Sequence, residues 1–335
     1  MADDGAASIA AGGIVLMKLE PRITMAKEVL RISAQKVVVD YDFRNDSDND
    51  ITTVVAFPVP PYKLGDDETV FGNPAFNNFQ LVVDGQIKSF AVQPRAFVDH
   101  REISTDLKRN HIDIASFGHF NRKSSDYTRP VPDYLRQNAS ARHRLTTIGA
   151  FDRGIPRWEV RKTYYWTQTF PAHARVHIQH LYAPVLGGTN SAEYGLAAER
   201  TSGSKSEEQR AEAREVDSLC LEPSLKKSLY KLTQRKEMNL PFNYVDFILT
   251  TANTWKKPIE DFTLIVDRPA ADKLLATHLK PLQRNKALVS FCWNGLIEHP
   301  DSMHFAAHAT NFVPRKELRV GFVYIDHMDP HWAGN

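Results

Sequence analysis

The sequence lacks the features that would assign it to a membrane, nucleic-acid-binding or zinc-binding class. No apolar run reaches the ~18 residues that a membrane-spanning helix needs. The formal net charge of the 335-residue chain is only +2, so no overall field favours nucleic acid or an anionic membrane. Its two cysteines cannot form a tetrahedral zinc site by themselves. We therefore predict no transmembrane segment, no cofactor and no nucleic-acid partner.

Local catalytic motifs are also missing. The chain contains no Gly-x-Ser-x-Gly elbow, phosphate-binding loop, dinucleotide fingerprint or His-Glu-x-x-His sequence. A dispersed catalytic site leaves no local motif, however, so an enzymatic function stays open. The first residues are small and carry neither a basic region nor an apolar stretch, so they are not a signal peptide.

Alternating apolar and polar residues are the clearest pattern present. In residues 36–62, the side chains of Val37, Val39, Tyr41 and Phe43 share one face, which is typical of a half-buried strand. Polar turn residues follow at 45–50, and a β-branched segment then ends at the prolines from Pro58 onward. This arrangement predicts a hairpin.

Similar segments recur along the chain and predict a mainly β fold with two β-sandwich-like domains. Residues 1–188 are predicted to form the first domain, with an insertion of helices and loops at about 96–153. The polar segment 189–215 reads as a flexible linker. Residues 216–335 are predicted to form a connecting helix and a second sandwich.

The insertion is basic, and its residues 106–148 also contain aromatic side chains. Such a composition can bind single-stranded nucleic acid, but the near-neutral total charge favours a solvated surface. At its start, Asp99 and Glu102 lie near His100 on a segment with helical spacing, residues 95–107. They form a candidate acid/base site for hydrolysis, and the alternative is a solvated helix face.

Histidines supply the other candidates. His180 lies on the apolar face of a predicted strand, where a buried, hydrogen-bonded histidine is favoured over a catalytic or ligand role. His327 and His331 flank a short segment near the end of the chain and are weak candidates for a metal site. Surface histidines are the favoured interpretation, so no metal is predicted.

Several segments resemble a family of exported bacterial proteins known only as domain of unknown function 4424. The matching segments are Gly12-Gly13, residues 39–45 and 55–58, residues 168–184, Leu249–Trp255, Pro258-Ile259 and Ser290-Phe291-Cys292. More distantly, Phe57-Pro58-Val59-Pro60 and Val83-Asp84-Gly85 are similar to the vault and inter-α-trypsin type β-domain. The resemblance implies a periplasmic or extracellular protein whose signal peptide has been removed. It implies no reaction.

The two cysteines, Cys220 and Cys292, are predicted to form a disulfide if the chain is exported to an oxidising compartment. Buried free thiols are the alternative.

Two functions are compatible with the sequence. The favoured one is a non-catalytic protein that binds an unknown protein or envelope ligand through sheet edges and the inserted loops. The alternative is a hydrolase with a dispersed carboxylate and histidine site at the domain interface.

Overall fold

The computed structural model describes most of the chain. The described residues are 3–10, 15–63, 77–112, 114, 138–152, 155–189, 196, 207–234, 238–269, 287–324 and 326–327. Strands predominate among them, so the prediction of a mainly β protein is confirmed. No helix in these ranges combines the length and the apolar composition needed to cross a membrane.

Strands run through both halves of the chain. In the first half they are β1 (Gly5–Ile9), β2 (Val15–Met17), β3 (Ile23–Ile32), β4 (Val37–Asn45), β5 (Ile51–Pro58), β6 (Tyr62–Lys63), β7 (Asn77–Val83), β8 (Gln86–Lys88), β9 (Ala91–Val98), β10 (Arg101–Glu102), β11 (Phe151–Asp152), β12 (Ile155–Pro156), β13 (Glu159–Phe170), β14 (Arg175–Ala183) and β15 (Gly187–Thr189). In the second half they are β16 (Met238–Asn239), β17 (Phe242–Phe247), β18 (Ile259–Asp267), β19 (Leu288–Phe291), β20 (Ile297–Glu298), β21 (His304–Phe312), β22 (Leu318–Val323) and β23 (Asp326–His327).

The helices are fewer and shorter. They are α1 (Ser104–Arg109), α2 (Ala139–Thr147), α3 (Glu207–Ser218), α4 (Pro223–Thr233) and a 3-10 helix (Thr250–Thr254). The first two belong to the predicted insertion. Helix α3 begins within the segment predicted as a linker.

The largest sheet has eight strands in the order β20-β21-β18-β3-β4-β14-β7-β8. Adjacent strands in this sheet are antiparallel, except that β3 and β18 are parallel. In that parallel pair Glu28 lies opposite Phe262. These two strands come from different halves of the chain, so both halves share one sheet. The predicted division into two separate sandwich-like domains is therefore not confirmed, and its boundaries stay a prediction.

A second sheet follows the order β10-β9-β13-β5-β1-β2, with β6 also paired to β13. Residues 36–62 do contain the two predicted strands, but the predicted hairpin is wrong. Strand β4 pairs with β3 and β14, whereas β5 pairs with β13 and β1. The polar turn thus carries the chain from one sheet to the other, and inward side chains of both strands enter one core.

A four-stranded sheet, β15-β17-β22-β19, packs with the helices of the second half. Leu219 lies so close to Gly321 that a Cβ atom there would come within 2.5 Å of its side chain. Beside this contact, Cys220 and Cys292 form a disulfide with their Cα atoms 5.2 Å apart. The predicted disulfide is thus present, and it fastens the turn between α3 and α4 to the end of β19.

The main hydrophobic core draws on both halves of the chain. Phe43 and Phe57 of the first half pack in it with Phe247 and Trp255 of the second. Trp255 is only 4 % exposed, so its ring is buried in this shared core. A separate core under α1 and α2 includes Trp158. Ala6, from the first described segment, also packs in this shared core.

Candidate functional site

The surface candidates Asp99 and His100 lie in a turn, and the possible helix over 95–107 begins only at Ser104. Residues 91–98 form β9, and Val98 pairs with Arg101 of β10. Both turn residues have positive φ, 46° for Asp99 and 66° for His100. Two successive residues in this conformation reverse the chain in a tight hairpin, which interrupts any helix. Their role in the structure is therefore to close the β9–β10 hairpin.

Glu102 is engaged in local contacts on the same hairpin. Its carboxylate accepts a hydrogen bond from Arg95 Nε at 3.0 Å and another from Ser104 Oγ at 2.7 Å. The Arg95 guanidinium is the main cause that lowers the pKa of Glu102. A carboxylate held ionised in this way is a poor general acid. Glu102 stabilises the hairpin and the start of α1.

His180 lies in the core, far from solvent. Its Nε2 is 2.8 Å from Asp4 Oδ1, and both side chains are fully buried. Aromatic rings surround the imidazole, including Phe57 with a centroid distance of 4.9 Å and Phe79 with 5.1 Å. The prediction of a buried, hydrogen-bonded histidine is confirmed. Its carboxylate partner comes from the first residues of the chain.

Two further acids complete a buried group that we call the acid cluster: Asp3, Asp4, Glu28, Tyr41 and His180. All are fully buried. The Tyr41 hydroxyl donates to Asp3 Oδ1 at 3.4 Å and accepts from the Asp4 backbone N–H at 3.2 Å. Asp3 Oδ2 and both carboxylate oxygens of Glu28 have no donor among the described residues.

Burial controls the acidity of these groups. Loss of hydration raises the pKa of Asp3 well above its ordinary value, and the charge of Glu28 adds to the effect. Burial likewise raises the pKa of Glu28 to about 7. The pKa of Asp4 is also raised by burial, although the neighbouring His180 opposes the increase. At neutral pH the pair of Asp3 and Glu28 therefore retains at least one proton, which satisfies oxygens that otherwise lack a donor.

The acid cluster exists because residues 3–9, which we call the strap, pass through the core. The strap backbone donates from Asp3 N–H to the oxygen of Ile248 at 2.6 Å. The Thr251 hydroxyl donates to the oxygen of Asp3 at 2.7 Å, and Trp255 Nε1 donates to the oxygen of Asp4 at 2.7 Å. The strap thus joins strands of the first half to the 3-10 helix of the second.

This arrangement keeps three carboxyl groups in the core, where burial raises their pKa values, and fixes residues 3–9 in place. A substrate has no access to groups that are fully buried, so the acid cluster is not assembled for catalysis in this conformation. The four predicted catalytic residues are also not brought together: Asp99, His100 and Glu102 lie on a surface hairpin, and His180 lies in the core. The contacts of the acid cluster hold Asp3 and Asp4 in the core.

Sequence reasoning missed the three acids. A β-bulge between Met25 and Lys27 shifts the alternation in β3, so Glu28 faces inward with Leu30 and Ile32. A regular alternation without the bulge would predict that Glu28 faces solvent. The only available signal was Asp3-Asp4 next to small residues, which suit close packing.

The predicted metal candidates are not assembled in the described structure. The backbone of His327, in β23, pairs with that of Met238 in β16. The side chain of His327 and the whole of His331 lie outside the described residues. Within those ranges, no three histidine, cysteine or acidic side chains are placed to hold a metal ion.

A surface cleft of about 530 Å³ lies between the ends of α1 and α2. Leu145 and Asn110 contribute buried side chains, and Arg109 and Arg144 are exposed. Arg144 Nη2 donates to Asn110 Oδ1 at 3.3 Å. The remaining lining residues are Asp106, His143, Thr147 and Ile148. This cleft is open to solvent, unlike the acid cluster.

Comparison with known proteins identifies the family. A family model described as "Domain of unknown function (DUF4424)" matches residues 2–320, so the chain belongs to this family. The predicted membership is confirmed, while the resemblance to the vault type β-domain stays a prediction. No curated protein matches the sequence at a significant level.

One solved structure found by the comparison is a Legionella pneumophila protein with the description "putative nutrient binding protein". Its TM-score is 0.41 with 13 % identity, and the alignment covers 96 % of this chain and 70 % of that one. This similarity is too weak to bear on the function of the present chain.

Proposed function

We propose that this member of the family is an exported, non-catalytic binding protein whose ligand site is the cleft between α1 and α2. The observation that carries the proposal is the cleft itself. Its volume of about 530 Å³ is within the usual range of ~300–1,000 Å³ for small-molecule sites. An apolar floor at Leu145 and several converging polar side chains are the usual composition of such a site.

The charges of the cleft favour an anionic ligand. Arg109 and Arg144 have no carboxylate partner within the described ranges, and His143 lies beside them. Asp106 offsets part of this positive charge. A guanidinium group presents several N–H donors in a plane and matches the geometry of a carboxylate or phosphate group. The proposed ligand is a small organic acid or phosphate compound.

Export is supported by the disulfide between Cys220 and Cys292. Disulfides persist in the periplasm and outside the cell, whereas cytosolic thiols are usually kept reduced. The alternative function, a hydrolase with a dispersed site, has no comparable support. His180 is sealed in the core, and the other three candidates serve a hairpin.

Calorimetric titration of the purified chain with inorganic phosphate, acetate, citrate and neutral glucose tests the proposal. We expect at least one anion to bind and glucose not to bind. Arg144→Ala should weaken binding about tenfold or more, because a hydrogen bond to a charged group is lost. Arg142→Ala is the matched control, since Arg142 lies on the same helix but outside the cleft lining. Equal affinities of both variants, or no binding of any anion, would contradict the proposal.

A further inference from the structure

The strap is held in place mainly by polar contacts. Its residues 3–7 are Asp3, Asp4, Gly5, Ala6 and Ala7, which contain no large apolar side chain. Burial of apolar area stabilises by ~25 cal/mol per Å², so these small side chains contribute little. The attachment of the strap therefore depends on its hydrogen bonds and on the protonation of its acids.

The position of the strap suits a local opening. Among the described strands of its sheet, only β2 lies beyond β1. Segments with few apolar contacts open more easily than the global fold. Separation of the strap from β5 and from the 3-10 helix is therefore a local opening.

A proton is part of the docked state. Asp3 Oδ2 and the two Glu28 oxygens are fully buried and lack a described donor, and the pair can form a hydrogen bond between its own carboxyl groups only when one of them is protonated. Two ionised carboxylates at this place would repel each other without hydration. When the strap leaves, both groups return to water and can ionise freely.

We propose that the strap is a proton-dependent latch, docked most tightly while Asp3 and Glu28 are both protonated and loosened as the pair loses protons. The titratable groups that interact with the pair are Asp4 on the strap, Tyr41 on β4 and Tyr182 on β14. His180, also on β14, contacts Asp4. The 3-10 helix contributes threonine hydroxyls and backbone groups.

The sign of the effect follows from Glu28. Its pKa is about 7 in the docked state, compared with an ordinary value of 4.5, so docking takes up a proton between these limits. Docking is thus strongest below pH 4.5 and weakens as the pH rises through about 7, and the raised pKa of Asp3 acts in the same direction. One proton changes the opening equilibrium up to tenfold per pH unit, and the Glu28 proton changes it roughly 40-fold between pH 5 and pH 7.

Hydrogen–deuterium exchange of the full chain tests the latch, with rates corrected for the intrinsic effect of pH. In the wild type, protection of the Asp3 and Ala6 amides should fall steeply between pH 5 and pH 7. Amides of β4 should keep their protection. Constant protection of the strap, or an equal fall in β4, would overturn the latch.

Variants identify the responsible group. Glu28→Gln keeps the shape but cannot ionise, so strap protection should lose most of its dependence on pH and exceed that of the wild type at pH 8. Asp3→Asn provides a second route if Glu28→Gln does not fold. Glu20→Gln is the control, because Glu20 is also buried but is paired with Arg22, which lowers its pKa. An unchanged pH dependence in both neutral variants would contradict the proposal.

Discussion

Trp255 donates its indole N–H to the main-chain oxygen of Asp4 across 2.7 Å, although 251 positions separate the two residues in the chain. The same ring packs against Phe43 with a centroid distance of 4.8 Å. One side chain of the second half thus holds both the strap and the aromatic core of the first half. Long-range contacts of this kind make the two halves interdependent.

Trp255→Phe should lower the free energy of unfolding by about 1–3 kcal/mol, because the buried oxygen of Asp4 loses its donor. Trp293→Phe is a suitable control, since Trp293 Nε1 has no acceptor among the described residues. Urea denaturation of both variants measures the difference. Equal losses would show that only the reduced ring size matters.

His180→Phe should cost about 3 kcal/mol or more at pH 7, because it leaves the buried carboxyl of Asp4 without its partner. Combining it with Asp4→Asn should recover part of this loss, since the uncompensated charge is then removed. A double-mutant cycle by chemical denaturation gives the coupling energy. Strictly additive effects would mean that the contact between His180 and Asp4 contributes nothing specific.

Reduction of the disulfide should destabilise the chain by about 4 kcal/mol, because the cross-link restricts the conformational entropy of the unfolded chain. Cys220 and Cys292 are 72 positions apart, so the closed loop is long. Thiol counting on unreduced, unfolded protein should find no reactive thiol. Two reactive thiols after production in an oxidising compartment would refute both the disulfide and the support that it lends to export.

An ion pair across the parallel strand boundary predicts the opposite response to pH. Arg44 donates to both oxygens of Glu260 at 2.9 Å and, with Lys257, lowers the pKa of Glu260 from 4.5 to about 2. The pair therefore stabilises the protein above pH 4.5 and is lost as the pH falls towards 2. Glu260→Gln should cost about 1 kcal/mol at pH 7, because water screens a partly exposed pair.

This cost should vanish near pH 2, where the wild-type carboxylate also becomes protonated. Denaturation at both pH values checks the prediction. A cost that is the same at the two values would show that the ion pair contributes no pH-dependent stability.

The sequence was sufficient to predict strands but not their partners. Val37, Val39, Tyr41 and Phe43 are inward-facing in β4, as their spacing indicates. Nothing local, however, shows that β4 and β5 belong to different sheets, because pairing depends on the arrangement of distant segments. The disulfide was predictable because only two cysteines exist.

The acid cluster could not be predicted for two physical reasons. Glu28 faces inward only because of a bulge that adds one residue to β3. No turn residue or proline in the sequence indicates the position of this bulge. Asp3 and Asp4 are buried by partners that lie far along the chain, such as Thr251 and His180. His180 alone carried a usable signal, since it lies on the apolar face of β14.

Asp3 and Glu28 are expected to keep a proton inside the folded protein at neutral pH. Carbon-13 NMR of the labelled Asp3 and Glu28 carboxyl groups, followed through a pH titration, tests this most directly. We predict a titration midpoint of about 7 for Glu28 and a midpoint above the ordinary value of 3.8 for Asp3. Midpoints near the ordinary values for both groups would contradict it, because the pair would then ionise as freely as carboxyl groups in water.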